Sequence, residues 1–227
     1  MLNRFCTYFL FIVNNSTHPL RFETLSLKMN LYYPFRMNKN ICVFCGSRPG
    51  IDPQFATWAY SLGSQIANNN QTLVFGGGGS GLMGILAQGA LDSHGQVIGI
   101  IPKQLEVQEA VVENLSKVHF VKTMGERKQL MDQFADAYVI IPGGIGTLDE
   151  LFDVWATAQT GFHVKPIILA NWLGYYDGLL SFLYQCVENG FMSTSHFEKI
   201  QVVNSQEELL QALSPHLEKT VSAGVST

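Results

Sequence analysis

The chain has 227 residues, 47% of them apolar and 14% charged, with a formal net charge of −4. That composition excludes a disordered or fibrous chain and suits a sheet buried beneath helices, at a length one α/β domain can fill. The acidic balance argues against a general nucleic-acid binder, whereas a nucleotide-sized ligand needs only a local positive spot.

Residues 1–36 stand apart. Phe5 to Val13 form a short apolar run behind Arg4 that faintly resembles a signal peptide. The run is too short to span a bilayer, and no small-x-small cleavage site follows. No period continues to Arg36, and Met37 directly precedes the first clear strand. The expectation is a disordered extension or a true start at Met37. From there, strand-like runs fall at 40–45, 72–75, 97–101, 118–121, 137–141, 166–170 and 200–203. Helical patterns lie between and after them, at 53–68, 80–93, 125–135, 147–160, 176–189 and 205–214. Short, continuous Val- and Ile-rich strands are those of a sheet covered on both faces. Their alternation with helices predicts an α/β fold, a doubly wound parallel sheet with helices on both faces. One domain over 37–217 is expected, with a frayed tail at 218–227.

Of the cysteines, Cys6, Cys42, Cys45 and Cys186, the C-x-x-C pair lies in a strand. Residues three apart on a strand point to opposite faces. Buried structural thiols in a reducing cytoplasm are expected, with no membrane partner. The histidines, at 18, 94, 119, 163, 196 and 216, show no i, i+4 pair around a glutamate, so no metal site is supported.

In doubly wound folds ligands bind beyond the carboxyl ends of strands. Three loops there are rich in glycine. Cys45-Gly46-Ser47-Arg48-Pro49-Gly50 reads equally as an anion site at a helix start or as a tight turn. Gly76-Gly77-Gly78-Gly79-Ser80-Gly81-Leu82-Met83-Gly84 costs folding entropy that a plain turn does not justify. It suits close approach to a phosphate or sugar. It lacks the lysine of a Walker loop, and no acidic residue ends the next strand to favour a dinucleotide. Pro142-Gly143-Gly144-Ile145-Gly146-Thr147-Leu148-Asp149-Glu150 includes a Thr147–Glu150 capping box, which leaves the three glycines unexplained. Upstream, Arg127 reads either as a bidentate phosphate ligand or as an exposed helix charge.

Together these segments resemble the LOG family, the cytokinin riboside 5′-monophosphate phosphoribohydrolases, often labelled lysine decarboxylases. The match also takes in Ile100-Ile101-Pro102, Arg127-Lys128, Lys165-Pro166 and Gly174-Tyr175-Tyr176-Asp177, spanning about 40–217 in one register. Arg48 stands where a small residue is common in the family, and Asp149 where glutamate is. The resemblance implies a Rossmann-like homodimer that cleaves a nucleoside monophosphate to free base and ribose 5-phosphate without a cofactor. It implies Arg127 and Glu150 as the catalytic pair. Substrate contacts are implied at Gly46, Ser47, Gly76, Gly77, Gly78, Gly81, Met83, Lys128, Gly143, Gly144, Gly146 and Thr147. A base pocket around Met83, Met124 and Trp155 is expected. No lysine sits in a convincing Schiff-base motif, so pyridoxal-phosphate chemistry is rejected. The competing reading is a non-catalytic nucleotide sensor or carrier on the same fold.

Overall fold

A computed structural model describes residues 39–105 and 112–217. The expected extension at 1–36 and tail at 218–227 lie outside them. The strands are β1 (Asn40–Phe44), β2 (Thr72–Phe75), β3 (Gln96–Pro102), β4 (Lys117–Val121), β5 (Ala137–Ile140), β6 (Ile167–Ala170) and β7 (Ile200–Val203). They form one sheet in the order β4-β3-β2-β1-β5-β6-β7. Every pairing is parallel, with Ile41 of β1 opposite both Leu73 of β2 and Ala137 of β5. This is the doubly wound α/β architecture that the strand pattern predicts.

The helices are α1 (Pro53–Asn68), α2 (Gly81–Asp92), α3 (Met124–Phe134), α4 (Ile145–Gln159), α5 (Asp177–Glu188), α6 (Thr194–Phe197) and α7 (Gln206–Leu217). Alternation along the strands divides the core in two. Ile41, Val43, Leu73, Phe75, Ala137 and Val139 face α1, α2 and α7 through Leu62, Leu86 and Leu209. Cys42, Phe44, Val74, Tyr138 and Ile140 face α3, α4 and α5 through Met131, Leu151 and Leu183. The two cysteines of the C-x-x-C pair thus fall in opposite cores, both as free thiols.

Helices α1 and α2 cross almost backbone to backbone. A Cβ on Gly63 would fall 2.0 Å from the Leu86 carbonyl oxygen, and one on Gly89 would fall 2.1 Å from that of Tyr60. Two elements have no counterpart in the sequence pattern, α6 and a 3-10 turn at Trp172–Gly174. Both are too short to show a period. Ser193 starts α6 by accepting from the His196 N–H at 3.2 Å. Among the described residues no helix is long and apolar enough to cross a membrane.

Candidate active site

The strand order reverses direction between β1 and β5, so the loops after these neighbours diverge and leave a crevice beyond the strand ends. A cavity of about 560 Å³ opens there, lined by all three glycine-rich loops. The Gly46 N–H donates to the Pro142 carbonyl, and the Leu82 N–H donates to the Gly46 carbonyl, both at 3.0 Å. From the other side, the Tyr175 hydroxyl donates to the Gly143 carbonyl at 2.7 Å and the Tyr176 hydroxyl to the Ile141 carbonyl at 3.0 Å. The Gly174-Tyr175-Tyr176-Asp177 segment therefore braces the third loop.

Helix α4 begins earlier than the capping box predicts. Its N-cap is Gly144, with extended backbone and no side-chain capping bond, and the helix already runs at Ile145. Thr147 and Glu150 thus sit within the helix, and the capping-box reading of this pair is incorrect. The two glycines after Pro142 let the chain enter the helix without a side-chain cap. Cβ atoms added at Gly144 or Gly146 would meet nothing within 4 Å, so the first turn of α4 faces open cavity. A variant of that box does occur on α3, with the glutamate reaching one residue before the cap. There the Glu126 N–H donates to Thr123 Oγ1 at 3.1 Å, and Glu126 Oε2 accepts from the Lys122 N–H at 2.7 Å.

That box starts the helix that carries Arg127. Arg127 is buried, 9% exposed, and its Nε–H donates to the Ile100 carbonyl at 3.2 Å. Nη1 lies 3.9 Å from Met124 Sδ, and Nη2 lies 3.8 Å from Glu150 Oε1. Room for the guanidinium comes from Gly76, where a Cβ would stand 1.9 Å from Nη2. Burial pushes the Glu150 carboxyl up to about 7, Arg127 opposes the rise, and Asp149 adds to it. A carboxyl poised there can hold or release a proton near neutral pH. Burial, and next the Glu150 charge, raise the Cys45 thiol well above its ordinary range, so the cavity's cysteine stays protonated.

Gly46, Ser47, Gly76, Met83, Arg127, Gly143, Gly144, Gly146, Thr147 and Glu150 all line this cavity. Gly77, Gly78, Gly81 and Lys128 are not among its lining residues. Gly81 has φ +60°, and a Cβ on it would lie 2.2 Å from the Ser47 carbonyl carbon, which explains the glycine by packing. Lys128 Nζ instead reaches Asp153 at 3.0 Å and Asp149 at 3.3 Å, tying α3 to α4. Trp155 is buried in the core, its indole N–H donating to the His196 carbonyl at 2.9 Å, and it does not line the cavity. Met124 is also absent from the lining. The aromatic wall is made by Phe55 and Tyr175, ring centroids 6.0 Å apart and edge to face. Their convergence through space left no local signal in the sequence.

A family model described as "Possible lysine decarboxylase" matches residues 83–213. Cytokinin riboside 5′-monophosphate phosphoribohydrolase LOG1 of Arabidopsis thaliana is 42% identical over 187 residues, covering 81% of this chain and 88% of that protein. LOG3 of the same plant is 42% identical over 178 residues, covering 78% and 83%. The probable enzyme LOGL6 of Oryza sativa subsp. japonica is 42% identical over 186 residues, covering 81% and 74%. The chain belongs to the LOG family.

The LOG assignment agrees with the cavity better than the decarboxylase description does. Pyridoxal phosphate needs a lysine for its Schiff base, and among the described residues no lysine lines the cavity. Lys128 is engaged by Asp149 and Asp153, and Lys165 by Asp132 at 2.7 Å. The residues do not fit that cofactor. Solved structures share the fold of this LOG chain. A molybdenum cofactor binding protein from Rippkaea orientalis superposes with a TM-score of 0.62 at 23% identity, over 80% of this chain and 99% of that one. The molybdenum cofactor carrier protein of Chlamydomonas reinhardtii gives 0.61 at 20%, over 80% and 99%. At these identities the likeness shows the fold alone.

Proposed function

We propose that the protein hydrolyses the N-glycosidic bond of a nucleoside 5′-monophosphate, cytokinin riboside 5′-monophosphate or AMP, to free base and ribose 5-phosphate. The observation that carries the reading is the buried Arg127–Glu150 pair on the wall of a cavity that the open first turn of α4 also lines. Backbone N–H groups at a helix start attract a phosphate. Holding the phosphate there would position the ribose C1′ for attack, so that remote binding energy lowers the barrier at the reacting centre.

As the C1′–N bond breaks, its electron pair leaves with the base and positive charge builds on the sugar. The ionised Glu150 carboxylate stabilises that charge and takes a proton from the attacking water. The water oxygen bonds to C1′, and a proton returns to the departing base. Arg127, pinned by the Ile100 carbonyl, opposes the upward shift that burial imposes on Glu150 and so favours its ionised form. Phe55 and Tyr175 offer faces for the base.

Release of base and ribose 5-phosphate from AMP and isopentenyl-AMP tests the reading. Glu150→Gln is expected to lower kcat by about 10²–10⁴-fold while the nucleotide still binds. Near-wild-type turnover in this variant sinks the role of Glu150. Binding by the wild type without release of base from either substrate would favour a nucleotide carrier or sensor. We extend the reading to a homodimer in the cytoplasm. Phe182 and Tyr184 on α5 and Phe152 on α4 are exposed rings that a second copy would cover, and the free thiols of Cys42, Cys45 and Cys186 suit a reducing compartment. Light scattering on the purified chain measures the mass.

A further inference from the structure

Among the described residues, the cavity lining carries three formal charges, those of Arg48, Arg127 and Glu150. Arg127 and Glu150 face one another, so the ionised pair sums to zero. A phosphate monoester brings about −1.5 to −2 at neutral pH. Arg48 is exposed, and no described residue pairs with it. It is the one unmatched cation there among the described residues.

The backbone around Arg48 is fixed on two sides. The Gly46 carbonyl accepts from the first N–H groups of α2, at 3.0 Å from Leu82 and 3.3 Å from Met83, and the Arg48 N lies 2.3 Å from where a Gly81 Cβ would sit. On the other side, the Cβ position of Gly46 is 3.1 Å from the Arg48 carbonyl oxygen and 3.2 Å from Gly143 Cα. Arg48 therefore leaves the chain next to the loop that leads into α4. Pro49 follows and disfavours helical backbone at Arg48, which limits the directions its side chain can take. Arginine's planar fork then suits bidentate contact with phosphate oxygens.

We propose that Arg48 is a specificity-determining residue that meets the substrate 5′-phosphate opposite the start of α4 and adds to the preference for nucleotide over nucleoside. The assignment rests on the nucleotide reading above and adds to it a contact supplied by the first loop.

The test compares affinities of the full chain for AMP, ribose 5-phosphate and adenosine, in wild type, Arg48→Ser and Arg48→Lys. Arg48→Ser is expected to weaken AMP and ribose 5-phosphate by about 10-fold or more and to leave adenosine unchanged. Arg48→Lys recovers part of the loss, because charge returns without the fork. Added salt should weaken AMP binding more steeply in wild type than in Arg48→Ser. Equal losses for AMP and adenosine, or no loss for either phosphate ligand, overturn the proposal. The Arg48→Lys comparison decides it if the serine variant fails to fold. A wild type that binds AMP without cleaving it sinks only the hydrolase, and the affinity ratios still decide Arg48. A wild type that binds no AMP sinks both.

Discussion

Arg127 Nη2 and Glu150 Oε1 stand 3.8 Å apart, close enough to couple electrostatically and too far for a good hydrogen bond. The guanidinium spends its Nε–H on the Ile100 carbonyl, so its position does not depend on the carboxylate. Glu150 is therefore influenced by a fixed charge and remains available to water or sugar.

A carboxylate acting as base must be ionised. With Glu150 pushed up to about 7 by burial, kcat/KM should fall as pH drops below that value. Arg127→Met removes the opposing charge and is expected to move the acid limb of the residual activity to higher pH. A limb near the ordinary carboxylate value of 4.5 in the wild type would contradict the assignment.

The same shift governs stability. The folded state keeps a proton on Glu150 that the unfolded chain has lost, so this contribution is full below about 4.5 and disappears as pH rises through about 7. The full loss is on the order of 3 kcal/mol. Glu150→Gln cannot ionise, so its melting temperature should fall less than that of the wild type between pH 5 and pH 8. Thermal melts at the two pH values decide it, and parallel shifts in both proteins would refute the linkage.

Lys128 offers a contrast to its neighbour. Its partners Asp149 and Asp153 are half exposed, and such pairs contribute up to about 1 kcal/mol. Lys128→Met should therefore change stability little. Two acidic residues beside Glu150 would then act without their counterion, so the acid limb of the pH profile should move upward. A large rise in KM without that movement would return Lys128 to the substrate site.

Two glycine substitutions separate fold from function. In Gly76→Ala the new methyl meets the flexible end of Arg127, 1.9 Å from Nη2, and the side chain can yield. Displacing the guanidinium should cost turnover on the order of 10²-fold with little change in melting temperature. In Gly81→Ala the methyl meets the Ser47 backbone at a φ of +60°, and neither can yield cheaply. Destabilisation of about 1–3 kcal/mol is expected. Equal effects of the two variants on both readouts would contradict this division.

The sheet was legible because parallel strands covered on both faces read as nearly unbroken apolar runs, as at 72–75 and 167–170. Glycine clusters after β1, β2 and β5 marked the cavity, because ligands of such sheets bind beyond the strand ends. What escaped depended on choices among local signals. Thr147 and Glu150 have capping-box spacing, yet Gly144 caps the helix, while Thr123 and Glu126 form the box that was not read. Lys128 follows Arg127 directly, but adjacent helical residues point in different directions, so one lines the cavity and the other clamps acids. Trp155 looked like a pocket wall because its helix leaves the third loop, whereas its side chain turns to the core. Phe55 and Tyr175 meet from segments far apart in the chain, which no window along the sequence could reveal.

The notched crossing of α1 and α2 has a mechanical consequence. Leu86 and Tyr60 each present backbone to a glycine of the other helix, so neither helix can slide or roll without driving main chain into main chain. The pair behaves as a single plate, and the loops that enter its two helices, bearing Ser47 and Gly76, keep their spacing. Any tightening around a ligand has to come from the opposite bank, where Tyr175 is tethered to the Gly143 carbonyl by one hydrogen bond from a partly exposed hydroxyl.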